Sequence, residues 1–337
     1  MRRLFMWGVL CIVFSSSLFA VTVTDFEGRT LSIDIRPNRI VSLAPIATRI
    51  LVQFDIIGSV VGLDSRSMTM DLLPSSLSEK SNVIVNLGNA NSVNEEAVLR
   101  LRPDLIITQY DKETANRLSG RTGVPVLCIQ NRNRMDYELY EILGSVVFAE
   151  QRAHELVNYM KAMVFRAENI GNNSVVTQPR VYVATDTSLL NTFPQDPIIA
   201  MCGGLNVAAE ITTMNYWGGT TVGLEFLLRS RPDIIIVWIP FNTPQRIDDL
   251  RKTINRREFA NIPAVRNNRI YSFLEATSGK DYFYTMVSIS ETLYHLYPQR
   301  YNAQTLEQDV RTHLALFYPT VSYAEYTHLR GRLAISE

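Results

Sequence analysis

The 337-residue sequence predicts an α/β protein of two pseudo-symmetric lobes, each on a mainly parallel sheet, joined by one long α-helix. Three observations lead there. Short apolar runs bounded by turn residues alternate with stretches of helical period, the pattern of parallel strands covered on both faces. The phrase "EAVLRLRPDLIIT" at 96–108 returns as "EFLLRSRPDIIIV" at 225–237, with eight of thirteen positions identical at a constant offset of 129. Between the copies, "AEQRAHELVNYMKAMVFRAENI" (149–170) contains no proline or glycine, and it sets Ala153, Leu156, Val157, Met160, Met163, Val164 and Ala167 along one helical stripe.

The first segment, 1–20, reads as a cleaved secretory signal peptide: Arg2 and Arg3, an apolar run from Leu4 to Phe14, serines, and a small residue at Ala20. The run is short for a membrane span. Cys11 lies inside it with apolar residues following, so a lipid tether is not expected and the mature chain is expected to be exported. Without Arg2 and Arg3 the chain keeps 31 basic against 33 acidic residues. Such a balance gives no support to nucleic-acid binding, which needs a basic field. Hydrophobic residues make up 46% and charged residues 20%, a core-forming composition, and the length suits two cores.

An N-terminal lobe is expected over 21–134, with strands at 39–44, 59–64, 104–109 and 124–129 and helices at 47–56, 94–102 and 112–121. A linker region follows at 135–171. It contains the bridging helix, about 33 Å long at 1.5 Å per residue, with Gly171 as its expected stop. A helix as the sole connector resists bending, so the lobes are expected to shift by small angles. The C-terminal lobe, 172–300, repeats the plan with strands at 180–185, 233–239 and 269–273 and helices near 196–203 and 244–253, and a helical extension occupies 301–337. In each copy of the repeated phrase a helix packs its leucines on the sheet and ends before Pro103 or Pro232, and Asp104 or Asp233 opens a buried strand.

Ligands of open α/β sheets bind beyond the carboxyl ends of the strands, so two facing lobes make a cleft there. The first-lobe candidates are Ser42, Pro45, Arg66 and Tyr110, and the second-lobe candidates are Ser188, Trp217, Trp238, Phe241, Lys280 and Tyr282. The rings offer contact area to a planar or amphipathic ligand, and Arg66 or Lys280 suits an anionic one. Bland readings stand beside these: Trp238 as core, Arg66 as a solvated loop residue. The histidines, His154, His295, His313 and His328, fall on the bridging and C-terminal helices, away from the cleft loops. No metal site is therefore expected, and any metal should arrive chelated or as an oxyanion. Cys128 and Cys202 sit in apolar surroundings as small buried thiols. No catalytic residue is assigned. An exported α/β enzyme is the reading from another class, and it lacks a G-x-S-x-G turn, a Walker loop and a G-x-G-x-x-G loop. A surface adhesin or sensor on the same scaffold is the third.

The signal peptide, "NRIVSLAPIATRIL", "LGNANSVNEEAVLRLRPDLIITQ", the bridging helix, "MCGGLNVAAEI", "GLEFLLRSRPDIIIV" and "IPAVRNNRIYSF", in that order, resemble the helical-backbone (class III) periplasmic substrate-binding proteins of ABC importers. The likeness covers roughly 22–320. The segment from Glu291 to Pro319 is similar to the terminal helices of the iron-complex and molybdate-type branch. This resemblance implies a monomeric binding protein without cofactor. Its small-molecule ligand would be a ferric siderophore or haem, with cobalamin or a molybdate or tungstate oxyanion as alternatives, delivered to an inner-membrane permease dimer with its ATPase. It also implies that one glutamate per lobe docks on the permease, here Glu96, with Glu95 as its neighbouring alternative, and Glu225. Arg49 departs from the resemblance, standing where many relatives have an acidic residue, so a different helix-surface charge is expected there.

Overall fold

The computed structural model describes residues 20–70, 72, 84–89, 93–130, 136–173, 178–213, 219–240, 245–275 and 281–331. The signal-peptide reading, apart from Ala20, and the candidates Trp217, Phe241 and Lys280 lie outside the described residues.

The described residues open with an antiparallel hairpin, β1 (Val21–Thr24) and β2 (Thr30–Ile33), where no strand was expected. Its signal is the alternation of "VTVT" and "TLSI" around Asp25 and Gly28. Asp25 accepts from the backbone N–H of Glu27 and Arg29 at 3.0 and 2.9 Å, and Gly28 takes φ 71°, where a side chain would be strained.

Among the described residues the first lobe carries a five-stranded, all-parallel sheet. Its strands are β3 (Ile40–Ser42), β4 (Val60–Leu63), β5 (Val85–Asn86), β6 (Leu105–Thr108) and β7 (Val126–Cys128), in the order β5-β4-β3-β6-β7. The order reverses at β3, so the segments leaving β3, β4 and β6 converge at one edge. Helices α1 (Pro45–Gln53), α2 (Glu95–Arg100) and α3 (Lys112–Thr122) cover it, and α4 (Tyr137–Val146) leads into the bridging helix α5 (Glu150–Asn172). Asn94 and Asp111 cap α2 and α3 by accepting from Ala97 and Thr114 N–H at 3.1 and 2.8 Å.

Among the described residues the second lobe has six strands, β8 (Arg180–Ala184), β9 (Asn191–Thr192), β10 (Leu205–Asn206), β11 (Thr220–Thr221), β12 (Ile234–Pro240) and β13 (Ile270–Glu275). β10, β8, β12 and β13 are parallel, and β9 and β11 form an antiparallel edge. Central β8 corresponds to β3, and β12 to β6. Helices α6 (Pro197–Met201), α7 (Leu224–Ser230), α8 (Gln245–Ile254) and α9 (Pro263–Arg266) belong to this lobe, and α10 (Tyr282–Leu296), α11 (Ala303–Phe317) and α12 (Tyr323–Gly331) close the described chain. The mixed α/β class with mainly parallel sheets in two lobes is the one the sequence predicts.

The pseudo-symmetry extends to hydrogen bonds. Arg39, at the foot of β3, donates from Nη2 to the Leu101 carbonyl at 2.6 Å, and Arg180, at the start of β8, donates to the Ser230 carbonyl at 2.7 Å. Leu101 and Ser230 are 129 residues apart. Asp104 accepts from Arg39 N–H at 3.0 Å and Asp233 from Arg180 N–H at 3.0 Å. The arginine between helix and proline is left-handed in both copies, Arg102 at φ 46° and Arg231 at φ 45°. Thus the repeated "R-P-D" turns each helix sharply into its strand, and the arginine of the neighbouring strand takes up the helix's terminal carbonyl.

Two expectations about the bridge change. Gly171 does not stop the helix, which runs on to Asn172. It is a close-approach position: a Cβ there would lie 2.7 Å from the carbonyl carbon of Cys202, and Gly203 (φ 74°) faces Gly171 in return. Nor is α5 the sole link. The C-terminal helices run back along it toward the first lobe, with Asp309 accepting from Arg166 Nη1 at 2.8 Å, the Tyr159 hydroxyl 2.8 Å from His313 Nδ1, and Arg152 donating to the Leu316 carbonyl. One buried apolar cluster therefore continues from Ile40 and Ile50 through Tyr140 and Met160 to Val183, Phe283 and Phe317.

Candidate functional site

At the carboxyl edge of the first sheet, β3 passes through Ser42 into Pro45, the first residue of α1. Pro45 suits that place because its missing N–H would have no helical partner. Among the described residues no side chain caps this end of α1, although the helix is buried along its whole length. Backbone N–H groups of a first turn, buried and uncapped, attract a negative charge.

Beside it lies a chain of buried polar side chains. The Ser42 hydroxyl is 2.8 Å from that of Thr48, which is 3.2 Å from that of Ser67. Ser67 donates to Asp64 Oδ2 at 2.5 Å. The other Asp64 oxygen accepts from the N–H of Arg66 and Ser67 at 2.9 and 3.1 Å. All four side chains belong to residues with no solvent exposure. Asp64 thereby fixes the turn that carries Arg66 outward, and Arg66 itself is exposed. Across β3, Leu43 N–H donates to the Ile107 carbonyl at 2.8 Å, which brings the end of β6 alongside. Tyr110 follows there, half-buried, its N–H on Thr108 Oγ1 at 3.2 Å. Burial, then the charges of Glu95 and Asp64, push the Tyr110 hydroxyl pKa up, so it stays a neutral hydrogen-bond donor. Ser42, Pro45, Arg66 and Tyr110 thus converge on one edge. Ser42 and Pro45 are buried within it.

The second-lobe candidates are placed differently. Ser188 is half-buried in a turn organised by Asp186, to whose Oδ1 it donates at 2.6 Å. Trp238 is 3% exposed and packs edge-on against Phe273 of the neighbouring strand, centroids 5.8 Å apart. Tyr282 is buried too. Its hydroxyl accepts from Asp136 N–H at 2.9 Å, and its ring stands edge-on to Tyr140 at 5.0 Å. Trp238 lies inside β12 and Tyr282 opens α10, so their places in the sequence fix the elements they belong to and leave the direction of the side chain open.

The junction of the lobes holds residues that sequence reasoning missed. Arg49 is 1% exposed, so it is no helix-surface charge. Its Nη1 lies 3.0 Å from Oδ2 of Asp281, a fully buried carboxylate. Asp281 also accepts from Gln53 Nε2 at 3.2 Å and the Tyr318 hydroxyl at 2.6 Å, and it caps α10 through Phe283 N–H at 2.9 Å. The signal for that cap was Asp281 standing just before the apolar run "YFYTMV".

The two glutamates occupy equivalent places. Glu96 and Glu225 are each the second residue of their helix, and both are exposed. Glu95 is engaged by Arg121 at 2.6 Å. The histidines are on α5, α10, α11 and α12, and no group of three His, Cys, Asp or Glu side chains is assembled for a metal among the described residues. Cys128 and Cys202 are free and buried, and burial pushes the Cys128 thiol up to about 12.

A sequence model of the periplasmic binding protein family matches residues 40–276. An uncharacterised ABC transporter substrate-binding lipoprotein, YvrC, of Bacillus subtilis is 24% identical over 83% of this chain and 87% of its own length. The molybdate-binding protein MolA of Haemophilus influenzae is 25% identical over 93% of this chain and 95% of its own. Its molybdate-bound crystal structure superposes with a TM-score of 0.68 at 22% identity, covering 90% of this chain and 98% of that one. A periplasmic solute binding protein from Veillonella parvula gives 0.73 at 22% identity over 92% and 96%. Among the described residues no helix is long and apolar enough to cross a membrane. These relatives are transport proteins and not enzymes. With the matched span taking in both sheets and the bridge between them, this chain belongs to the periplasmic binding protein family, as an ABC-type substrate-binding protein.

Proposed function

We propose that the protein captures a metal already held in an anionic compound, foremost chelated iron as a ferric siderophore or haem, between its lobes in the periplasm. The observation that carries this reading is the uncapped, buried start of α1, with exposed Arg66 and half-buried Tyr110 beside it on the same sheet edge. A helix N-terminus and a guanidinium both favour a negatively charged solute, and a neutral tyrosine adds ring contact and a donor. A molybdate or tungstate oxyanion is the second reading, favoured by the near full-length similarity to the molybdate-binding protein; cobalamin is the third. Delivery to a permease dimer runs through Glu96 and Glu225, one exposed carboxylate per lobe at matching helical positions.

Thermal unfolding of the mature protein with ferric siderophores, haem, cobalamin, molybdate and tungstate tests the ligand. A solute that binds only the native state raises the melting temperature. A rise with ferric siderophores or haem is expected, and a rise with molybdate or tungstate alone transfers the reading to the oxyanion. A rise with free zinc or manganese alone overturns both.

A further inference from the structure

Five large apolar side chains are exposed among the described residues: Ile35, Leu99, Phe165, Leu205 and Leu228. Single exposed apolar residues are ordinary. Two of these, however, are the same residue of the internal repeat: Leu99 on α2 and Leu228 on α7 stand 129 positions apart, 44% and 36% exposed. Each follows its lobe's exposed glutamate by three residues, Glu96 and Glu225. Positions i and i+3 are neighbours on one helix face.

We infer that Glu96–Leu99 and Glu225–Leu228 form two equivalent contact patches, a carboxylate with an apolar anchor one turn away, that seat on a two-fold membrane partner presenting a basic group beside an apolar socket at each half. This rests on the permease-docking reading above and adds to it the residues that hold the complex once charge has guided it. Charge sets encounter and register, and exposed pairs contribute little affinity. A desolvated leucine supplies the apolar area that slows dissociation. The duplication by itself explains why the two sites face solvent alike. It does not explain why both retain leucine there, when the buried position between, Val98 in one copy and Leu227 in the other, has already met each helix's need for a core contact.

The test uses the full mature protein and the importer's permease–ATPase complex in nanodiscs, with binding followed by interferometry at low and high salt. Leu99→Ser and Leu228→Ser are each expected to weaken binding about three-fold and together about ten-fold, at both salt concentrations. Glu96→Gln with Glu225→Gln is expected to slow association, and the effect should shrink as salt rises. Phe165→Ser, exposed on the bridging helix, is the control and should bind as the parent does. If the glutamate pair matters and the leucine pair stays within two-fold, the inference falls and the docking reading survives. If neither pair changes binding, the docking reading falls as well. Equal loss with Phe165→Ser also overturns the inference. Unfolding midpoints of all variants are taken alongside, and Leu99→Met with Leu228→Met, which keep apolar area, should restore binding.

Discussion

Nη1 of Arg49 lies 3.0 Å from Oδ2 of Asp281, with 1% and 0% of the two side chains exposed, and the pair joins α1 of the first lobe to the start of α10. A buried pair of this kind adds little over apolar residues of the same shape, but removing one partner strands the other charge without water. Asp281→Ala is therefore expected to destabilise the protein by about 3–5 kcal/mol, read as a lower urea midpoint. Replacing both residues, Arg49→Met with Asp281→Leu, should cost less than Asp281→Ala alone. A double variant weaker than the single one would show that the network of Gln53 and Tyr318, not the stranded arginine, sets the cost.

The same pair limits lobe motion. A helix alone would bend a little; α5 together with a buried inter-lobe ion pair and the helices running back along it leaves less freedom still.

Gly171 gives a sharper test of packing. A methyl group there meets the Cys202 backbone at 2.7 and 2.8 Å, and backbone cannot rotate aside. The gain of roughly 1 kcal/mol that alanine brings to a helix is outweighed, and Gly171→Ala should lower stability by about 2 kcal/mol. Gly120, also helical, has open space where its Cβ would stand. Gly120→Ala should raise stability by about 0.5–1 kcal/mol. Matching shifts of the same sign in both variants would mean that the close approach to Cys202 yields freely.

These positions mark what was legible in the sequence. The strands β3, β4, β6, β7, β8, β12 and β13 stand out because continuous apolar runs between turn residues leave few alternatives, and the repeat shows in "R-P-D" because its geometry is local. Gly171 reads as a helix stop because glycine has that use, and its actual constraint comes from a segment some thirty residues on. Arg49 reads as surface because its partner is over two hundred residues away. The α1 edge was legible from strand order, and the Ser42–Thr48–Ser67–Asp64 chain was not: hydroxyls that bond each other across a turn carry no period.

The Arg–Asp clips at the feet of the two sheets should act alike. Asp104 accepts from the N–H of Asn38 and Arg39, Asp233 from that of Arg180. These groups lie near water, so Asp104→Ala and Asp233→Ala should each cost only about 1 kcal/mol, with Asp104 the larger because two N–H groups lose their acceptor. Both sit at the strand starts, the far edge from α1's N-terminus, so ligand affinity should not move. A fall in affinity with an unchanged unfolding midpoint would place that edge in the binding path.

Acid should loosen the C-terminal helices first. His313 is fully buried, with Tyr159 on Nδ1 and Ser290 on Nε2, and burial with the Arg166 charge holds it down at about 4, against the opposing pull of Asp309. In the unfolded chain a histidine titrates near 6.5. Between the two values the unfolded state binds the extra proton, so stability falls as pH drops from about 6.5 and the loss is complete below about 4. The difference is worth on the order of 3 kcal/mol at most. His295, stacked on Tyr271 and pushed down to about 3 by burial and by Arg330 and Arg269, acts in the same direction. His313→Gln keeps a donor and an acceptor without the titration. Its urea midpoint should therefore decline less steeply than the parent's between pH 6.5 and 4, while a parallel decline would assign the acid sensitivity to other groups.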